Sequence, residues 1–269
     1  MLFSNLKFLI PRRQLLIIKR EHSCLAYVFY IIAFFLPFNF IGQTTEDSAP
    51  YYKWFDDIIG SENTDIHYGV VYFEKHRARS KKSKFFPNAD FSSGSVLFGN
   101  TPHYGLDLKY NVYEDELLMR VVNRLGGGIL QLYKEKVKAF EINGHRFIQV
   151  DTSKNENHTP LGFYELLYEK STFSLLKKHR RLLKLDLGSK LTFYEFEVLP
   201  FGYVLAMNDN YYPVKKGSDL KSLFPDNAVQ IMDFIRNRPK AKNTEEELIG
   251  LLDFLFSLQT EGTSKALPK

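Results

Sequence analysis

From about residue 66 to residue 214 the chain alternates apolar and polar side chains with a period of two, and short turn signals interrupt it every few residues. That pattern constrains the fold more than any other feature, because a period of two places one set of side chains on one face of a strand. In "GLDLKYNVY", Leu106, Leu108, Tyr110 and Val112 fall on one face, and Asp107, Lys109 and Asn111 on the other. In "LTFYEFEV", Thr192, Tyr194, Phe196 and Val198 alternate with Phe193, Glu195 and Glu197. Asn143 and Gly144 in "FEINGHRF" both tolerate positive φ, as a two-residue type I′ hairpin turn demands. "YEKSTF" (168–173) and "MNDNYY" (207–212) read as two further hairpins, "NRLGGGI" (123–129) as a flexible connection, and "YEDE" (113–116) as a solvated acidic turn. Ten to twelve strands with short connections predict antiparallel meander pairing.

The pattern changes at Gly217. Ser218 can cap a short helix, "DLKSLF", and Pro225 and Asp226 start another that carries Ala228, Ile231, Met232 and Ile235 at helical spacing until Pro239 stops it. Thr244 and Glu247 read as a capping box. The helix after them aligns Leu248, Leu251, Leu252, Leu255 and Leu258 on one stripe. The expected fold is therefore mainly β: an antiparallel meander forming a curved sheet or open barrel, with two or three C-terminal α-helices packed on it. The strands occupy 66–216 and the helical part of the same domain 217–262, with a tail at 263–269. Ahead of them, 43–65 holds a polar linker, "QTTEDSAP", and a short aromatic segment, "YYKWFDDIIG", that packs on the domain.

The amino terminus sets the expected compartment. Lys7, Arg12, Arg13, Lys19 and Arg20 face a single Glu21, and no charge follows from Cys24 to Gln43. A basic flank before an apolar run reads as a secretory signal at 1–42, cut near Gly42. An uncleaved anchor through 25–41 is the alternative, since a span needs roughly 17–25 apolar residues. The expected location is the periplasm or outer envelope of a Gram-negative bacterium, or the inner membrane if the anchor is kept.

Charge then narrows the partners. The chain has 36 Lys and Arg against 31 Asp and Glu; without 1–42, which holds five and one, 31 and 30 remain, a net charge of +1. A near-neutral domain lacks the electrostatic footprint of a nucleic-acid binder. The single cysteine, Cys24, lies inside that leader, which excludes disulfides, thiolate metal sites and cysteine nucleophiles from the remainder.

Few residues carry recognisable chemistry. His67, His76, His103, His145, His158 and His179 form neither H-x-H nor H-E-x-x-H, so no metal site is expected. Ser95 in "SSGSVLFG" lacks the nucleophile-elbow pattern. "LGGGI" lacks the lysine of a phosphate loop. Glu195 and Glu197 share a strand face at a spacing, roughly 6–7 Å, compatible with glycosidase chemistry, although any solvent-facing strand shows the same.

One cluster has a plausible partner. Lys177, Lys178, His179, Arg180 and Arg181 close the second strand of the hairpin "GFYELLYEKSTFSLLKKHRR". They read either as a solvated strand end that discourages edge pairing or as a patch for an anionic lipid surface. A second basic segment, "KHRARSKKSK" (75–84), would enlarge the patch if both loops met at one end of the sheet. No cofactor is expected.

The series "FSSGSVLFGNTPHYGLDLKYNVYEDELLMR", "VKAFEINGHRFI" and "GFYELLYEKSTFSLLKKHRR" resembles an uncharacterised family of exported Bacteroidota-type proteins with LKYxxYxDEL and GFYExLY…LLKKH hairpins. The resemblance covers about 90–200 and the helical end. It implies export and this architecture, and brings no catalytic residue with it. The expected function is a non-enzymatic envelope protein that binds a partner protein or an apolar, lipid-like ligand on its sheet. A hydrolase with a site assembled from distant residues and a membrane-anchored structural component are the alternatives.

Overall fold

The computed structural model describes residues 49–59, 64–76, 78, 82–123, 126–150, 161–186, 193–237 and 241–265. The proposed signal or anchor and residues 151–160 and 187–192 lie outside the described residues, as do residues 77 and 79–81 of the second basic segment.

The fold is mainly β. In chain order the strands are β1 (Gly69–Val71), β2 (Phe85–Phe86), β3 (Ser92–Phe98), β4 (Thr101–Asn111), β5 (Glu116–Asn123), β6 (Gly126–Leu132) and β7 (Val137–Ile142). They continue as β8 (His145–Val150), β9 (Gly162–Glu169), β10 (Phe173–Lys178), β11 (Arg181–Asp186), β12 (Phe193–Val198), β13 (Gly202–Met207) and β14 (Asn210–Val214). One sheet has the order β1-β6-β5-β4-β3-β7-β8-β9-β10-β13-β14, with β2 added on β4, and β11 and β12 pair as a separate ribbon. The named strand pairs are antiparallel, and the large sheet is open, ending at β1 and β14.

Turn chemistry fixes the registers. Asn143 and Gly144 have φ of 52° and 75°, and Ile142 faces His145, so the expected type I′ turn is present. Asn208 and Asp209, at 53° and 60°, close β13 onto β14 in the same way. Register shifts at Gly94/Ser95, Leu97/Phe98 and Leu175/Leu176 insert bulges. Each bulge adds local twist and bends the strand that carries it.

Alternation sends the predicted face of β4 inward. Leu108 and Tyr110 are fully buried in a core with Val96, Phe98, Met119, Phe140, Phe147 and Phe163. The rings of Phe140 and Phe147 stack at 4.8 Å, and Tyr110 lies 5.1 Å from Phe147. A second core forms where the helices meet β10, β13 and β14. There Phe173, Leu175, Leu205 and Val214 pack with Leu220, Ile231, Leu248, Leu251, Leu252 and Leu255.

The helices are α1 (Ala49–Ile59), α2 (Leu220–Leu223), α3 (Ala228–Asn237) and α4 (Thr244–Lys265). The aromatic segment ahead of the strands is α1, whose Tyr52 meets Tyr104 of β4. The four buried leucines of α4 contribute about 1.5–3 kcal/mol each, and Ile249, Phe254 and Phe256 pack against the same core. Its cap differs from the expected Thr244–Glu247 box. Asn243 Oδ1 accepts from the Glu246 amide at 2.8 Å, and Glu246 reaches back to the Lys242 amide at 2.8 Å. Glu247 is drawn elsewhere, to the Gly217 amide at 3.1 Å, where it ties α4 to the start of the helical part.

Candidate functional site

The five-residue basic run is not a solvated strand end. Lys177 and Lys178 are consecutive on β10, so the pleat sends their side chains to opposite faces, and each meets an acid there. The Lys177 side chain is 12% exposed; its Nζ lies 2.7 Å from Glu245 and 3.7 Å from Glu165, over the Phe201 ring at 4.3 Å. Lys178 donates to the Phe163 carbonyl at 2.9 Å and pairs with Asp115 at 3.0 Å. His179 is 6% exposed. Arg180 alone of the five is exposed, and Arg181 is half-buried at the start of β11.

Glu165 organises the face that holds Lys177 and His179. Its Oε1 lies 2.5 Å from His145 Nδ1 and its Oε2 2.6 Å from His179 Nε2. Phe86 packs edge-on against both imidazoles, at 5.1 and 4.7 Å. Burial pushes the Glu165 carboxyl up. The hydrogen bonds to His179 and His145 and the charges of His179 and Lys177 outweigh burial and bring it down to about 2. A carboxylate held that low stays ionised and is a poor proton donor near neutral pH. Among the described residues, no serine or threonine hydroxyl is hydrogen-bonded to either imidazole. The cluster therefore holds strands β8, β9 and β10 to the start of α4.

Asp115 does the same on the other face, and "YEDE" is correspondingly not a solvated turn. Asp115 accepts from the Tyr110 hydroxyl at 2.6 Å and from Lys134 at 2.6 Å, besides its pairing with Lys178. Burial pushes its carboxyl up, but the Lys178 charge and the bonds from Lys134 and Tyr110 hold it below the usual range. Burial drives the Tyr110 hydroxyl well above its ordinary value, with the Asp115 charge adding to it. Glu114 accepts from Asn111 Nδ2 and from Lys84 at 3.2 Å. Lys84, the last residue of the second basic segment, is 1% exposed and also pairs with Glu74 at 2.9 Å.

The two basic stretches meet at one place. A cleft of about 550 Å³ opens between the segment around β2 and the β11–β12 ribbon. Its apolar wall is Phe85, Pro87, Phe196 and Val198, and its charged residues are Lys82, Arg181 and Glu197. Backbone pairing builds it: Ala78 bridges Tyr194 in parallel, the Phe196 amide donates to the Lys82 carbonyl at 3.0 Å, and the Val112 amide donates to the Lys84 carbonyl at 3.0 Å. The segment thus leaves β12 and crosses to β4, and the cleft is the space beside that crossing.

Two of the three charges in the cleft are already partnered. Lys82 pairs with Glu195 at 2.7 Å and Glu197 with Lys184 at 2.7 Å. The hydrogen bond from Lys184 holds the Glu197 carboxyl below its ordinary range. A glycosidase acid needs the opposite direction, so the Glu195–Glu197 pair is two ion pairs on a ribbon. The buried Nε of Arg181 makes no hydrogen bond.

Among the described residues, no three His, Cys, Asp or Glu side chains are grouped to hold a metal ion. No helix among them is long and apolar enough to cross a membrane. No family model matches the chain, and neither the curated proteins nor the solved structures contain a match.

Glu165 and Asp115 were not singled out from sequence as site residues. A signal for Glu165 was present: it is the lone acid within the apolar stretch "GFYELLY", and a charge in a buried strand is rarely without a partner. Asp115 had no such signal, because its turn is acidic throughout.

Proposed function

We propose that this protein is a non-enzymatic component of the cell envelope that binds an apolar, lipid-like ligand in the cleft between the β2 segment and the β11–β12 ribbon. One observation carries the proposal: a cleft of about 550 Å³ walled by Phe85, Pro87, Phe196 and Val198. That volume lies within the roughly 300–1,000 Å³ range of small-molecule sites. The hydrolase alternative is weaker. The best titratable cluster, around Glu165, has its carboxyl held low, and neither Glu165 nor its two imidazoles line the cleft. Export is part of the proposal and rests on the basic leader and the uncharged run after it, with the periplasm or outer envelope of a Gram-negative bacterium as the destination.

The test uses the purified full-length chain and the neutral apolar probe N-phenyl-1-naphthylamine. Saturable, blue-shifted fluorescence is expected. Ala89→Trp, which places an indole at an exposed position of the cleft wall, abolishes it without lowering the melting temperature. Absence of saturable binding, or binding that the tryptophan does not disturb, refutes the proposal.

A further inference from the structure

We propose that the cleft selects amphipathic ligands with an anionic head, a carboxylate or a phosphate, and that Arg181 is the residue that recognises it. The inference rests on the ligand-binding reading above and names the chemistry of the ligand.

The argument starts from the cost of an unpartnered arginine. A guanidinium stays charged in proteins and presents five N–H donors. Burying one of those donors without an acceptor costs about 1–3 kcal/mol, and more where the group is charged. Arg181 carries that cost, since its Nε is buried and unbonded. No carboxylate among the described residues is paired with it. A counter-charge supplied by a ligand offsets the cost of holding the guanidinium charge half-buried and unpaired.

The shape of the donor set points the same way. The two terminal nitrogens of a guanidinium offer two parallel N–H groups that match the two oxygens of a carboxylate or phosphate. Lysine cannot reproduce that fork. Nε itself is buried, so an anion in the cleft meets the guanidinium at its terminal nitrogens, which make no ion pair among the described residues.

The remaining charges do not cancel this preference. Glu197 would repel an anion, but Lys184 neutralises it at 2.7 Å. Lys82 and Glu195 form a second neutral pair. The charge left over by these pairings is the positive charge of Arg181, beside an aromatic and aliphatic wall. A head at Arg181 and a chain against Phe85, Phe196 and Val198 satisfy both parts of the site. Arg180, the neighbouring cation, is exposed and does not line the cleft.

The experiment displaces N-phenyl-1-naphthylamine from the full-length chain with dodecanoate, dodecyl phosphate and dodecanol, each below its critical micelle concentration. At least one anion is expected to displace the probe at a concentration about tenfold or more below that of dodecanol, the ratio that a charge-assisted hydrogen bond supplies. Preference for dodecanoate assigns a carboxylate head, and preference for dodecyl phosphate a phosphate head. Arg181→Gln and Arg181→Met each weaken anion binding by at least tenfold, whereas Arg180→Gln does not. Equal displacement by dodecanol and both anions overturns the inference while leaving the ligand cleft standing. So does an anion preference that survives both Arg181 variants. If no ligand competes for the probe, or the probe itself does not bind, the cleft reading fails along with the inference.

Discussion

Replacing Glu165 with glutamine removes a charge and almost no volume, so its effect measures the electrostatic worth of the cluster that ties β8, β9 and β10 to α4. The magnitude follows from protonation. An ordinary glutamate titrates at 4.5 and Glu165 in the folded chain at about 2. At about 1.4 kcal/mol per pKa unit, the folded state prefers the carboxylate by about 3.5 kcal/mol. The side chain is 7% exposed, so solvent screening reduces this figure only modestly, and removing one partner of a buried pair falls in the same range of ~3–5 kcal/mol. In a domain of this size each kcal/mol moves the melting temperature by about 2–4 °C, so Glu165→Gln should melt roughly 6–12 °C below the wild type.

The sign of the pH dependence makes the test specific. A carboxyl whose folded pKa lies below its unfolded value contributes its full stability above pH 4.5 and loses it as pH falls towards about 2. Urea titrations of both proteins at several pH values from 7 down to the lowest at which both still fold should therefore converge. Wild type loses its advantage below pH 4.5, and Glu165→Gln, which has no carboxyl there, loses less. A difference below about 0.5 kcal/mol at pH 7, or one that stays constant through the acid range, refutes the electrostatic account and leaves only packing.

Four further substitutions test the backbone and the cap. Gly144→Val forces a β-branched side chain onto a residue at φ 75° and should cost about 1 kcal/mol or more by thermal melting. Gly162 sits at φ 134°, and a Cβ there would lie 2.6 Å from Lys178 Nζ and collide with the Asp115 carboxylate. Gly162→Ala should cost about 1–3 kcal/mol in denaturant titrations, and a neutral result would mean that Asp115 and Lys178 do not press on that strand. Asn243→Ala should lose about 1 kcal/mol of stability while Thr244→Ala stays within about 0.5 kcal/mol; the reverse order would restore Thr244 as the cap.

The strand architecture was legible because it is written locally. Alternation in "GLDLKYNVY" and the Asn143–Gly144 turn each depend on neighbours a few residues apart, and both are found where expected. The charged groups were misread for the converse reason. Lys177 and Lys178 look alike in sequence, yet alternation separates them, and what they meet is decided by which strand pairs with β10. The hydrogen-bond partners on the Glu165 side lie 14 positions away for His179 and 68 for Lys177, beyond any local window. The same logic displaced the cap: Glu247 suits a capping box by spacing, but the Gly217 amide, brought close by packing, claims it. A run of like charges thus says little about solvation until each residue is assigned to a face. The cleft was hidden more deeply still. Its walls come from 82–89, 181 and 196–198, joined through a parallel bridge at Ala78 and Tyr194. Hairpin signals predict antiparallel neighbours in sequence order, so no turn motif announces that crossing. Arg181 was visible as one cation among five; what sets it apart is an unbonded Nε, a property of its surroundings.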